Sequence, residues 1–136
     1  MIYLLDTNTV IARLNGNLAV SERLAALEPE EVVLCAPVLA ELHFGASLSA
    51  RREQNLGRLE RLADGMRFQP FDAGAARRFG DLKASLRRRG ITKSDFDLAI
   101  AAIALQLDAI LVSEDGAFHD GSIAKLQTEN WLAGGE

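Results

Sequence analysis

Phe96-Asp97-Leu98-Ala99-Ile100-Ala101-Ala102-Ile103-Ala104-Leu105-Gln106-Leu107, followed at once by Asp108-Ala109-Ile110-Leu111-Val112, is the stretch that decides the fold. From Leu98 to Leu105 every side of a helix would be apolar, so this helix belongs in the interior. Residues 109–112 then form a short unbroken apolar run, the mark of a strand covered on both faces in a parallel sheet. A second such run, residues 2–5, opens the chain, and a Val-rich one covers 31–35. Between these strands the spacing predicts helices. One spans 8–14, with Thr7 or Asn8 able to cap it, and is broken by Gly16 and Asn17. Another spans 18–27 and ends at Pro29. A third starts at Pro37, which suits a first helical turn, and runs to about Ala46. Ser49 is a candidate N-cap for a polar helix over 51–63. Residues 66–71 predict a short strand, 73–89 a helix stopped by Gly90, and 126–128 a weak last strand. Strands alternating with helices give an α/β sandwich around a parallel sheet. With no repeat, linker or low-complexity segment, residues 1–136 are expected to form one domain.

Hydrophobic residues make up 49% and charged residues 25% of the chain, the balance of a soluble globular protein. No apolar run approaches the ~18 residues needed to span a membrane, and the start lacks a basic, signal-like region. The single cysteine, Cys35, sits within an apolar run and reads as a core thiol. The expected compartment is the cytoplasm. A net charge of −4 argues at first against a nucleic-acid partner. The distribution reverses that: residues 47–93 carry 12 Lys/Arg against 5 Asp/Glu, and the rest of the chain carries 3 against 14. Such a split can set a basic surface, suited to phosphates, beside an acidic pocket suited to hard cations. An Arg-rich, merely solvated helix pair fits the charges equally well.

Ligand sites of open α/β sheets lie beyond the C-terminal ends of the strands. Asp6 follows the first strand there, and Glu114 and Asp115 follow the 109–112 strand. Asp97 lies in the first turn of the apolar helix, and Glu41 borders the core stripe of the helix begun by Pro37. Each has a structural alternative. Asp6 can cap a helix; Ser94 and Asp97 match a capping box; Asp115 can be a turn residue before Gly116; Glu41 can pair with an arginine. Taken jointly, four carboxylates at one sheet edge would repel and raise each other's pKa values. A divalent cation resolves that conflict, and oxygen-only ligands favour Mg2+ or Mn2+ over zinc. Such ions activate water and stabilise a leaving oxygen in phosphodiester hydrolysis. His43 lies about 200° around the helix from Glu41, and His119 falls in an apparent loop, so triad chemistry has little support.

Leu4-Leu5-Asp6-Thr7-Asn8, Ala40-Glu41-Leu42-His43-Phe44-Gly45-Ala46, Asp97-Leu98-Ala99-Ile100-Ala101-Ala102, Leu111-Val112-Ser113-Glu114-Asp115 and Glu129-Asn130-Trp131 together resemble the PIN-domain toxins of the VapC type, over essentially the whole chain. The resemblance implies a three-layer α/β/α sandwich with a central parallel sheet. It implies that Asp6, Glu41, Asp97 and Asp115 form an acidic quartet holding Mg2+, with Mn2+ as a substitute, and that Thr7, Asn8 and Ser113 support it. It further implies RNA cleavage within a toxin–antitoxin pair, a VapB-like antitoxin partner, and a homodimer. Arg51, Arg52, Arg87, Arg88 and Arg89 are candidates for guiding the RNA backbone. The chain departs from the family pattern Thr-x-Asp-x-Asp-Phe: Ser113 replaces the threonine, and Ala117 stands where a second acid is common. That leaves the fourth corner to Asp115, with Glu114 as a helper; Asp95 and Asp108 read as loop or surface acids outside the site, Asp95 close enough to be a spare ligand. Two rivals stand beside this reading: a phosphoacceptor signalling domain, which would need adjacent acids after the first strand, and a catalytically inactive PIN-like scaffold.

Overall fold

The computed structural model describes residues 1–132. Five strands form one parallel sheet: β1 (Tyr3–Leu5), β2 (Val32–Cys35), β3 (Arg67–Gln69), β4 (Ile110–Val112) and β5 (Gln127–Glu129), in the order β3-β2-β1-β4-β5. The chain builds one half outward from β1 and then returns to place β4 on its other side. Tyr3 pairs with Val32 across to β2 and with Ile110 across to β4. The strand order reverses between β1 and β4, which is where such sheets open a crevice.

Helices α1 (Thr7–Leu14), α2 (Leu18–Ala25), α3 (Ala36–Leu48), α4 (Arg52–Asp64), α5 (Ala73–Arg88), α6 (Asp95–Leu107) and α7 (Gly116–His119) flank the sheet in an α/β/α sandwich. Strand residues Leu4, Leu5, Val33, Leu34, Leu111 and Val112 are completely or almost completely buried. They meet Ile100, Ala101, Ile103 and Ala104 of α6, which explains the apolar circumference of that helix. Burial of each such large side chain contributes about 1.5–3 kcal/mol. The edge strands β3 and β5 have no fully buried residue and carry Arg67, Gln69, Gln127 and Glu129. No helix among the described residues is long and apolar enough to cross a membrane.

Local chemistry moves three expected boundaries. Asp6, rather than Thr7 or Asn8, caps α1, because its extended backbone lets Oδ1 accept from the Thr9 amide at 2.9 Å. Ser49 does not cap α4. Its hydroxyl donates back to the Ala46 carbonyl and accepts from Asn55 Nδ2, so α4 starts at Arg52 with no side-chain cap. The loop expected after Glu114 contains the short helix α7, capped by Asp115. Gly90 closes α5 as expected: at φ 73°, it lets the Ile91 amide reach the Leu86 carbonyl at 2.9 Å.

Candidate active site

The four acids come from four separate segments and line one pocket of about 110 Å³ together with Thr7, Asn8, Ile100 and Phe118. Asp6 stands at the end of β1, its amide bonded to the Val112 carbonyl of β4 at 3.1 Å. The residue is 4% exposed. Oδ1 takes the Thr9 amide, and Oδ2 accepts from Ser113 Oγ at 2.5 Å. The same Ser113 oxygen accepts from the Asp115 amide at 2.9 Å, so one hydroxyl sets the spacing between the ends of β1 and β4. Asp115 Oδ1 then caps α7 through the Ala117 amide. Glu41 reaches the pocket from mid-α3, where Oε1 accepts from Thr7 Oγ1 at 2.7 Å. Asp97 sits in the first turn of α6, its amide donating to the Ser94 cap at 3.1 Å.

Charge in this pocket is poorly compensated. Among the described residues none of the four acids is in an ion pair. Partial burial holds the Asp97 carboxyl above its ordinary value; repulsion from Asp115 and Glu41 adds to that, against the opposing pull of Ser94 and Lys93. The donor set is oxygen only, as hard divalent cations prefer. It is not a closed cage: among the described residues no three acid, histidine or cysteine side chains are gathered to hold a metal ion as they stand. Asp6 accepts through both oxygens, and Glu41 and Asp115 through one each, so every one of these three carboxylates keeps lone pairs for a further partner. Donor chemistry and uncompensated charge fit a cation.

Other candidates fall outside the pocket. Glu114 is exposed and does not line it. Asp95 is bridged to Lys83 Nζ at 2.8 Å. Arg51 and Arg52 are exposed where α4 begins, and Arg87 and Arg88 are exposed at the end of α5. Arg89 is partly committed, donating from Nη1 to the Ser122 carbonyl at 2.8 Å. His119 braces the site from outside: Nε2 donates to the Ser113 carbonyl at 2.7 Å, and Nδ1 meets Thr128 Oγ1 at 3.0 Å. His43 meets only Ser47 on the exposed side of α3. Sequence reasoning overlooked Thr9, whose hydroxyl donates to the Val112 carbonyl at 3.1 Å while its amide holds Asp6. Its signal was the spacing of three from Asp6, the usual reach of a cap. It also overlooked Lys93, which no motif marks.

A family model described as the PIN domain matches residues 3–123. Ribonuclease VapC2 of Rickettsia felis is 32% identical, the alignment covering 96% of this chain and 98% of that one. This chain is a PIN domain of the VapC type. The tRNA(fMet)-specific endonuclease VapC of Shigella flexneri is 29% identical over 95% of this chain and 97% of its own. Among solved structures, VapBC2 of Rickettsia felis bound to a DNA fragment from its promoter superposes with a TM-score of 0.88 at 30% identity, covering 96% of this chain and 99% of that one. The PIN match displaces the phosphoacceptor alternative. It also gives the crevice at the end of β1 and β4 a family context.

Proposed function

We propose that this PIN domain is a metal-dependent endoribonuclease and the toxin of a toxin–antitoxin pair. The observation that carries the reading is the convergence of Asp6, Glu41, Asp97 and Asp115 on one pocket without a cationic partner among the described residues. These four would hold Mg2+ or Mn2+. Such an ion, when bound, supplies Lewis-acid activation of water and stabilisation of a leaving oxygen. The chain's own groups supply orientation. Thr7 Oγ1 turns Glu41 toward the pocket, and Ser113 Oγ with the Thr9 amide locks the Asp6 rotamer. Asn8 lines the same pocket from an exposed position, available to a phosphate or sugar of the substrate. Ile100 and Phe118 form apolar walls that limit bulk water around the acids. The exposed arginines Arg51, Arg52, Arg87 and Arg88, with the unspent N–H groups of Arg89, would steer the RNA backbone by charge.

The Rickettsia felis relative was solved as a VapBC2 assembly on promoter DNA. A VapB-like antitoxin is accordingly the expected partner here. A homodimer is also part of this reading: Phe71 and Phe96, 40% and 47% exposed, rim an apolar groove with Pro37 and Phe79 that a second copy would cover. The decisive test is cleavage of total RNA by the purified chain with Mg2+, with EDTA, and as Asp6→Asn. Cleavage that requires Mg2+ and Asp6 is expected. An absence of cleavage in all arms leaves the inactive scaffold; cleavage retained by Asp6→Asn refutes the site.

A further inference from the structure

Among the described residues Asp115 is held by short-range bonds alone, to Ser113 and to the Ala117 amide. It rides on a strand end followed by a helix of only four residues. Across the pocket lies Asp97, whose charged form is disfavoured by burial and then by the charge of Asp115. Two like charges on separate segments drive those segments apart unless something holds them. Ser113 ties down the start of the Asp115 segment. His119 ties the end of α7 to the Ser113 carbonyl and to Thr128, and the stretch from Ala117 to Ser122 takes a further anchor.

The further anchor comes from the connection between α5 and α6. The Lys93 side chain is 5% exposed, which is low for an ammonium, and its Nζ donates to the Ala117 carbonyl at 2.7 Å and to Asp120 Oδ2 at 2.9 Å. Ala117 lies in α7, whose carbonyls have few intrahelical partners, and a cation suits that end of a helix. Asp120 is itself braced, its Oδ1 accepting from both the amide and the hydroxyl of Ser122. Those bonds and Lys93 hold its carboxyl far below the usual carboxylate range. Arg89, four residues before Lys93, adds the bond to the Ser122 carbonyl. Lys93 directly precedes Ser94, the cap of the helix that carries Asp97. One side chain thus spans the two segments that bear Asp97 and Asp115.

From this geometry we infer that Lys93 is a positioning residue, clamping the Asp115-bearing segment against the start of α6 and so setting how the two acids stand toward each other across the pocket they line. Lys93 touches no candidate ligand by hydrogen bond; it acts through the backbone of α7 and through Asp120. The inference rests on the nuclease reading for its functional part and on the two Nζ bonds for its structural part.

The test compares wild type, Lys93→Met, Lys93→Arg and Asp120→Asn by three measurements: amide hydrogen exchange over residues 115–122, Mn2+ affinity by titration, and RNA cleavage resolved into kcat and KM. Lys93→Met is expected to lose protection in that segment and to weaken Mn2+ binding by about 10-fold or more, the usual effect of removing a group that orients a ligand. Its loss of cleavage should lie in kcat at limiting Mn2+ and recover as Mn2+ is raised. Lys93→Arg should restore part of the affinity, and Asp120→Asn should fall between wild type and Lys93→Met, because the Ala117 bond survives. Unchanged exchange in Lys93→Met overturns the clamp. Lost protection with unchanged Mn2+ affinity overturns the positioning role. A wild-type chain that neither binds Mn2+ nor cuts RNA overturns the nuclease reading and the functional half with it, while the exchange data still judge the clamp.

Discussion

Ser113→Ala isolates the hydroxyl on which both strand ends depend. The substitution removes a 2.5 Å bond to the carboxylate of the buried Asp6, and the acceptor for the Asp115 amide. A hydrogen bond to a charged group contributes about 1.5–3 kcal/mol, and a neutral one about 1. A water entering the adjacent 110 Å³ pocket could take over the Asp6 Oδ2 bond in part, which sets the low end of the sum. We expect a net loss near 3 kcal/mol. At roughly 4 °C per kcal/mol for a chain of this size, the melting temperature in EDTA should fall by roughly 12 °C. Ser113→Thr keeps the hydroxyl and should fall much less. Differential scanning calorimetry of the three proteins at neutral pH is the assay. A Ser113→Ala shift under about 3 °C would mean that Asp6 does not depend on this bond, and the account of how the ends of β1 and β4 are joined would be wrong.

In EDTA, Asp97→Asn should stabilise the protein at neutral pH, since its carboxyl is held above its ordinary value by burial, then by Asp115 and Glu41. The penalty is absent below the ordinary value of 3.8 and grows as pH rises through the raised folded value, so the gap between variant and wild type should shrink on acidification; a gap independent of pH would contradict it. Mn2+ at about 100 times its dissociation constant should stabilise the wild type by about 2.7 kcal/mol, and Asp6→Asn should lose most of that gain in a thermal-shift titration. Gly90→Ala places a Cβ at φ 73°, with nothing within 4 Å, so backbone strain alone should cost about 1 kcal/mol in a urea melt while RNA cleavage stays unchanged.

The layered architecture is legible in the sequence because apolar runs and helical stripes are local. Residues 109–112 and the helix before them announce a buried strand and a buried helix without reference to anything distant. The order of the strands is not legible in the same way, although burial explains it afterwards: β1, β2 and β4 are apolar throughout and take the centre, while the Arg- and Gln-bearing β3 and β5 take the edges. Of the site, the four acids that sequence singles out do line one pocket. The hidden part is the set of neutral and cationic groups that hold them. Thr9, Lys93 and the committed bond of Arg89 depend on contacts to residues 24 to 103 positions away, and no periodicity encodes such a contact.

For Asp6, Asp97 and Asp115 the structural alternatives prove to be part of how the pocket exists, while Glu41 has no arginine partner among the described residues. Asp6 caps α1, Asp115 caps α7, and Asp97 lies in the capped first turn of α6, so three helix N-termini face the same crevice. Each N-terminus favours nearby negative charge by about 0.3–1 kcal/mol. Together they offset part of the repulsion, and the Asp97 carboxyl still stands above its ordinary value, so the offset is incomplete. A chain arranged this way folds with its acids already aimed and still short of positive charge. That residual deficit is the driving force a cation would satisfy, and it lets capping duty and the proposed ligand duty fall on the same residues: the cap places the carboxylate, and the uncompensated part of its charge is what a bound cation would answer.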